Sequence, residues 1–130
     1  MNSGHWQLGA YRITGRPTVP EADKQVDGAL VRGPLGLHMI QAWDQNETPI
    51  CAFSLTHIPT GLKVCTIYAQ VGRAIAVADE IFNLGDWSGA STAALGEDLH
   101  GAVRQYVRLI DFCGHGGDVL RAPRAGESIH

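Results

Sequence analysis

The chain has 130 residues, 45% of them hydrophobic and 18% charged, with a formal net charge of −3. That length suits one domain with a real core rather than two, and a charged fraction below the usual quarter makes the position of each charge matter more than the total. Three cysteines, Cys51, Cys65 and Cys113, are odd in number and widely spaced, which argues against a secreted disulfide framework. No apolar run approaches the ~18 residues of a membrane span, and the N-terminus shows no signal-like pattern, so a cytoplasmic protein is expected.

In chain order, Trp6 to Thr14 reads as a strand, because Tyr11, Ile13 and Thr14 favour extended backbone. Arg16 to Gly28 holds Pro17, Pro20 and several charges without an apolar pattern, and reads as an exposed loop. Ala29 to Trp43 alternates, with Leu35, Leu37, Met39, Gln41 and Trp43 on one side, and Gly33-Pro34 divides it into one bent strand or two short ones. A polar turn from Asp44 to Pro49 leads into the strand Ile50 to Ile58. Pro59-Thr60-Gly61 then supplies hairpin chemistry, Pro for φ near −65° and Gly for positive φ.

A three-residue loop there sets Ile58 opposite Leu62, Leu55 opposite Cys65 and Phe53 opposite Ile67. This register gathers Cys51, Phe53, Leu55, Cys65 and Ile67 on a core face. Ala52, Ser54, Thr56, Val64, Thr66 and Tyr68 fall on a semi-polar face open to solvent, a partner or a second copy in a homodimer. From Gln70 the period becomes helical: Val71, Ala74, Ile75, Ala78, Ile81 and Phe82 share a face, and Gly85 is the expected stop. A second helix is predicted from Asp98 to Cys113, with Leu99, Ala102, Val103, Tyr106, Ile110 and Cys113 buried. The expected fold is α+β, an antiparallel sheet of four to five strands with two C-terminal helices packed on one face. Residues 1–114 form the domain and 115–130 a flexible tail.

Between Arg73 and Arg104 the chain has no Lys or Arg but carries Asp79, Glu80, Asp86, Glu97 and Asp98. Glu97 and Asp98 suit the positive end of the second helix, so part of this window is structural. If the helices pack side by side, the acids form a patch that steers a basic partner and repels nucleic acid. Trp87, in the loop Asp86-Trp87-Ser88-Gly89, is either an anchor of that interface or a ring folded onto its own core, and the second reading is slightly favoured.

Other constellations are weaker. Cys113-Gly114-His115 lacks the paired spacing of a structural zinc site, and buried thiols are usually inert, so no metal is expected. His57 beside Lys63, with Thr56 and Thr60, has the chemistry to hold an anion or act as a base, although exposure at a hairpin tip also accounts for it. No phosphate-cradling or dinucleotide fingerprint is present, so no cofactor is implied. A basic stripe of the kind that displaces counterions from a duplex is missing, which disfavours direct nucleic-acid binding.

Leu55-Thr56-His57-Ile58-Pro59-Thr60-Gly61, followed by a strand and the Ala-rich helix Arg73 to Ile81, resembles the hairpin-plus-helix core of short uncharacterised phage and mobile-element proteins. The order of strands then helix is also similar to three-stranded DNA-binding modules such as those of integrases, but Lys63 is the hairpin's only Lys or Arg. Phage proteins of this size include anti-CRISPR proteins, which commonly occlude a nucleic-acid site on a basic effector. That resemblance implies a non-enzymatic, stoichiometric inhibitor. The binding residues expected from the acidic window are Asp79, Glu80, Asp86, Trp87, Glu97 and Asp98, facing a basic protein surface. The alternatives are a sheet-based DNA-binding regulator using Arg12, Arg32, Lys63 and Arg73, and a small enzyme using Cys113 or His57.

Overall fold

The computed structural model describes residues 5–14 and 24–113, with backbone alone for 109–113. The expected tail, His115 and the first part of the expected loop lie outside the described residues. Five strands, β1 (Gln7–Ile13), β2 (Lys24–Arg32), β3 (Leu35–Trp43), β4 (Pro49–His57) and β5 (Leu62–Ile67), form one antiparallel sheet in chain order. Helices α1 (Val71–Phe82), α2 (Thr92–Leu95) and α3 (Glu97–Cys113) follow, which gives the expected α+β class. Among the described residues no helix is long and apolar enough to cross a membrane.

The stretch expected as loop up to Gly28 is instead the start of β2, paired with β1 through Arg12↔Gln25 and Ile13↔Lys24. A bulge interrupts the alternation that would have marked it as a strand. Gly9 pairs with Ala29 and Tyr11 with Val26, so β2 holds one extra residue there, and Gly28 sits at φ 66°. A left-handed glycine in a bulge bends the strand and resets its alternation. Val26 and Ala29, three residues apart, are thereby buried in the same cluster with Tyr11.

That bend rolls β1 and β2 over the sheet. Tyr11 lies so close above Gly36 that a Cβ there would fall 2.3 Å from its ring, and its hydroxyl meets His38 Nδ1 at 2.9 Å. At the far end of β1, the Thr14 N–H donates to the Gly61 carbonyl at 2.8 Å, tying the first strand to the β4–β5 hairpin. The face expected to meet solvent or a partner is therefore closed, and Ala52, Ser54, Thr56 and Thr66 are buried. Sequence alternation could not show this, because the cover comes from β1 and β2, strands distant along the chain.

The hairpin pairs Phe53 with Ile67 and Leu55 with Cys65 as expected, but His57, not Ile58, stands opposite Leu62. A second bulge after Leu55 causes the difference, since Thr56 pairs with Lys63 and leaves Val64 as the extra residue. The opposite face of the sheet carries Leu35, Leu37, Phe53, Leu55 and Ile67 against Ala74, Val77, Ala78 and Ile81 of α1, with Trp87 and Leu99 completing the core. Val77 takes the place foreseen for Val71, which is 51% exposed. Cys51, expected in the core, is exposed, because its part of β4 extends beyond the helices. Helix α1 ends at Phe82 with Asn83 as its C-cap, and Gly85 lies beyond it, close against Leu99, whose Cδ1 would be 2.8 Å from a Cβ there. The short α2, absent from the sequence reading, is capped by Ser91, whose hydroxyl accepts from the Ala94 N–H at 3.1 Å.

Candidate functional site

The acids predicted to act together are sorted by the fold into different roles. Asp79 accepts hydrogen bonds from Trp6 Nε1 at 2.6 Å and from Arg32 Nη1 at 2.8 Å, the latter an ion pair whose arginine is 12% exposed. Arg32 also stacks over Phe82, 3.9 Å from the ring centroid. Asp79 thus holds the N-terminal segment, β2 and α1 together. Its position near the negative end of α1 would be unfavourable alone, and the guanidinium offsets it.

Trp87 is 5% exposed and its indole N–H donates to the Ile81 carbonyl at 3.1 Å. The ring belongs to the core, so the reading as an exposed anchor is corrected. The Asp-Trp-Ser sequence achieves this locally: the Asp86 carboxylate accepts the Ser88 N–H at 2.9 Å, and the resulting turn directs the intervening ring inward. Bonds from Ser88 also hold the Asp86 carboxyl below the usual carboxylate range while it stays fully exposed.

The remaining acids come together through helix packing. The Tyr106 hydroxyl donates to Glu80, and Gly85 abuts Leu99, so advancing from residue 80 to 85 matches retreating from 106 to 99. Helices α1 and α3 are therefore antiparallel neighbours. Burial, then the Glu80 bond and charge, push the Tyr106 phenol well above its ordinary value, so it remains a donor to Glu80. The antiparallel arrangement sets the acidic end of α1 and the Asp86 turn beside the acidic start of α3. Glu80, Asp86, Glu97 and Asp98 are all exposed there. Arg104 reaches Glu97 at 3.3 Å, with both side chains largely in solvent, a pair that contributes little. Arg73, two turns before Glu80 on the same stripe, and Arg108, toward the end of α3, mark where the acidic character gives way.

The alternative sites fare differently. Arg32 of the expected DNA-binding set is committed to Asp79 and Phe82. His57 is not an exposed tip residue; it is 3% exposed, with Nε2 donating to the Trp87 carbonyl at 2.9 Å and Nδ1 facing the Thr60 hydroxyl at 2.9 Å. It works as a strut between the hairpin and the Trp87 turn. Burial pushes the Cys65 thiol up to about 12, with Lys63 opposing, so it carries negligible thiolate at neutral pH. The Cys113 side chain lies outside the described residues. Among the described residues no three His, Cys, Asp or Glu side chains converge as metal ligands.

Sequence reasoning did not pair Trp6 and Arg32 with Asp79 or Tyr106 with Glu80, the contacts that decide the fate of these acids. Trp6 and Arg32 lie 73 and 47 positions from Asp79, and no local periodicity encodes such pairings. Compared with protein-family models, with curated proteins and with solved structures, the chain matches none of them.

Proposed function

We propose that this protein is a cytoplasmic, non-enzymatic binding protein whose acidic α1–α3 surface occupies a basic surface of a protein partner. The observation that carries the reading is the antiparallel pairing of α1 with α3, which collects Glu80, Asp86 and Asp98 into one exposed field. Among the described residues Glu80 accepts from the Tyr106 phenol but has no ion pair like that of Asp79, and it stands in the last turn of α1, where the helix dipole disfavours a carboxylate. A surface that holds negative charge at such a position fits a role in recognition. The partner's chemistry follows: a Lys- and Arg-rich protein surface, of the kind that nucleic-acid-binding effectors present, which the acids would occupy in competition with phosphate. This is the inhibitor reading implied by the resemblance to small phage proteins, with Asp79, Trp87 and the Arg104-paired Glu97 removed from the contact set.

The test is affinity capture from the source cells with the full chain as bait, followed by direct binding to the purified partner. The triple variant Glu80→Lys, Asp86→Lys, Asp98→Lys is expected to lose at least tenfold in affinity. It should also flatten the salt dependence, while nucleic acid competes with the unmodified protein for the partner. Equal affinity of the variant and the unmodified protein would remove the acidic surface as the binding site.

A further inference from the structure

On the side of the molecule where the β4–β5 hairpin meets α2 and α3, a cavity of about 170 Å³ opens. Among the described residues its wall includes two with cationic side chains, Lys63 and Arg104, and two with imidazoles, His57 and His100, and none that is acidic. Leu95 and Val103 contribute apolar lining from α2 and α3. In a chain with more acids than bases, this concentration of positive and proton-accepting groups around one hollow is unusual.

The hollow is built by specific backbone features. In a regular strand the neighbours Lys63 and Val64 would point to opposite faces, yet both line the cavity. The bulge opposite Leu55 and Thr56 produces this, by inserting Val64 between the paired positions Lys63 and Cys65. Bulges commonly re-aim a side chain at a site in this way. The imidazoles are fixed as well: His57 Nε2 donates to the Trp87 carbonyl at 2.9 Å, and His100 Nε2 to the Thr92 carbonyl at 3.0 Å. Arg104 pairs with Glu97 at 3.3 Å in a weak, solvent-exposed contact, so its guanidinium can be recruited from it at little cost.

We infer that this cavity is a binding site for a small organic anion, a carboxylate or phosphate head on a short aliphatic stem. The head would lie between Lys63 and Arg104, where ionic hydrogen bonds are strongest, and the stem against Leu95 and Val103. That volume is below the range of drug-sized pockets, about 300–1,000 Å³. The ligand is therefore of small-metabolite size. The site is separate from the residues altered in the test of the acidic surface.

The inference is tested by backbone-amide NMR titration of the full chain with hexanoate, with its uncharged analogue hexanamide and with inorganic phosphate. Hexanoate is expected to shift the amides around Lys63, His100 and Arg104 saturably, at least tenfold more tightly than either other probe. The double variant Lys63→Gln, Arg104→Gln should keep its dispersed spectrum and lose hexanoate binding at least tenfold. Equal binding of hexanoate and hexanamide, or undiminished hexanoate binding by the folded double variant, would overturn the anion site. Phosphate binding as tightly as hexanoate would overturn the assignment of an aliphatic stem.

Discussion

The two halves of the β3–β4 hairpin share one alternating pattern and one unbroken antiparallel register, from Leu35↔His57 to Trp43↔Pro49, yet they end in opposite environments. In the first half Leu35, Leu37 and Leu55 are at most 1% exposed, and Ser54 and Thr56 on the other face are buried too. In the second half Met39 is 69% exposed, Trp43 48%, and Cys51 is exposed. The strands are equally regular; what differs is the cover. Helix α1 lies over one face of the first half, and Tyr11 with the rolled β1–β2 strands over the other. Strand formation and burial are thus separate events, and only the second depends on distant parts of the chain.

The sharpest way to break this comparison is truncation in each half. Leu55→Ala should destabilise the fold by about 2–5 kcal/mol, as removing a fully buried side chain both loses transfer free energy and leaves a cavity. Met39→Ala on the same face should stay within about 0.5 kcal/mol. Urea unfolding of both variants checks this, and equal losses would mean that the second half is covered after all.

A smaller effect tests the second layer of cover. A methyl group at Gly36 would meet the Tyr11 ring from 2.3 Å, so Gly36→Ala should cost about 1–3 kcal/mol as the roll of β1–β2 is forced open. Adding Tyr11→Leu to that variant should return part of the loss, both variants being compared by thermal melts. No rescue would mean that the ring does not cover Gly36.

The smallest effect is a difference in alkaline behaviour. Burial pushes the Tyr11 phenol up to about 12 from its ordinary 10, with a Thr56 bond opposing. An unfolded Tyr11 releases its proton near 10 and the folded one near 12. The unfolded state is therefore more deprotonated between those values, and stability falls as pH rises through that window. Cys65, raised from 9 to about 12, acts in the same direction, as does Tyr106. Tyr11→Phe should flatten the stability curve between about 10 and about 12 relative to the parent, measured by denaturant midpoints at successive pH values. An unchanged slope would place the Tyr11 phenol in solvent.

The candidate acidic surface was legible only in part. The run of Asp79, Glu80, Asp86, Glu97 and Asp98 without a base is plain in the sequence, but charges distant along the chain answer it. Arg32 neutralises Asp79 from β2, whereas Glu80 accepts from the neutral Tyr106 phenol. Trp87 shows the same limit, since its neighbours are polar and only the turn made by Asp86 and Ser88 shows the ring directed inward. Cys51 and Cys65 were placed on one face by correct parity, and the length of α1 then left one exposed and the other half-buried.

What the sequence by itself determined was local: the strands with period two, the helices with period near 3.6, the Pro-Thr-Gly hairpin and most of its register, and hence the α+β class. Those features follow from backbone preferences and side-chain alternation, which act over a few residues. What only the tertiary structure decided was which faces are covered, which acids are neutralised and which residues line the cavity beside the hairpin. These depend on two bulges, each one extra residue in a strand, and on contacts such as Trp6 with Asp79 across 73 positions. A single inserted residue reverses the facing of everything beyond it, and no local pattern records which strand will arrive above.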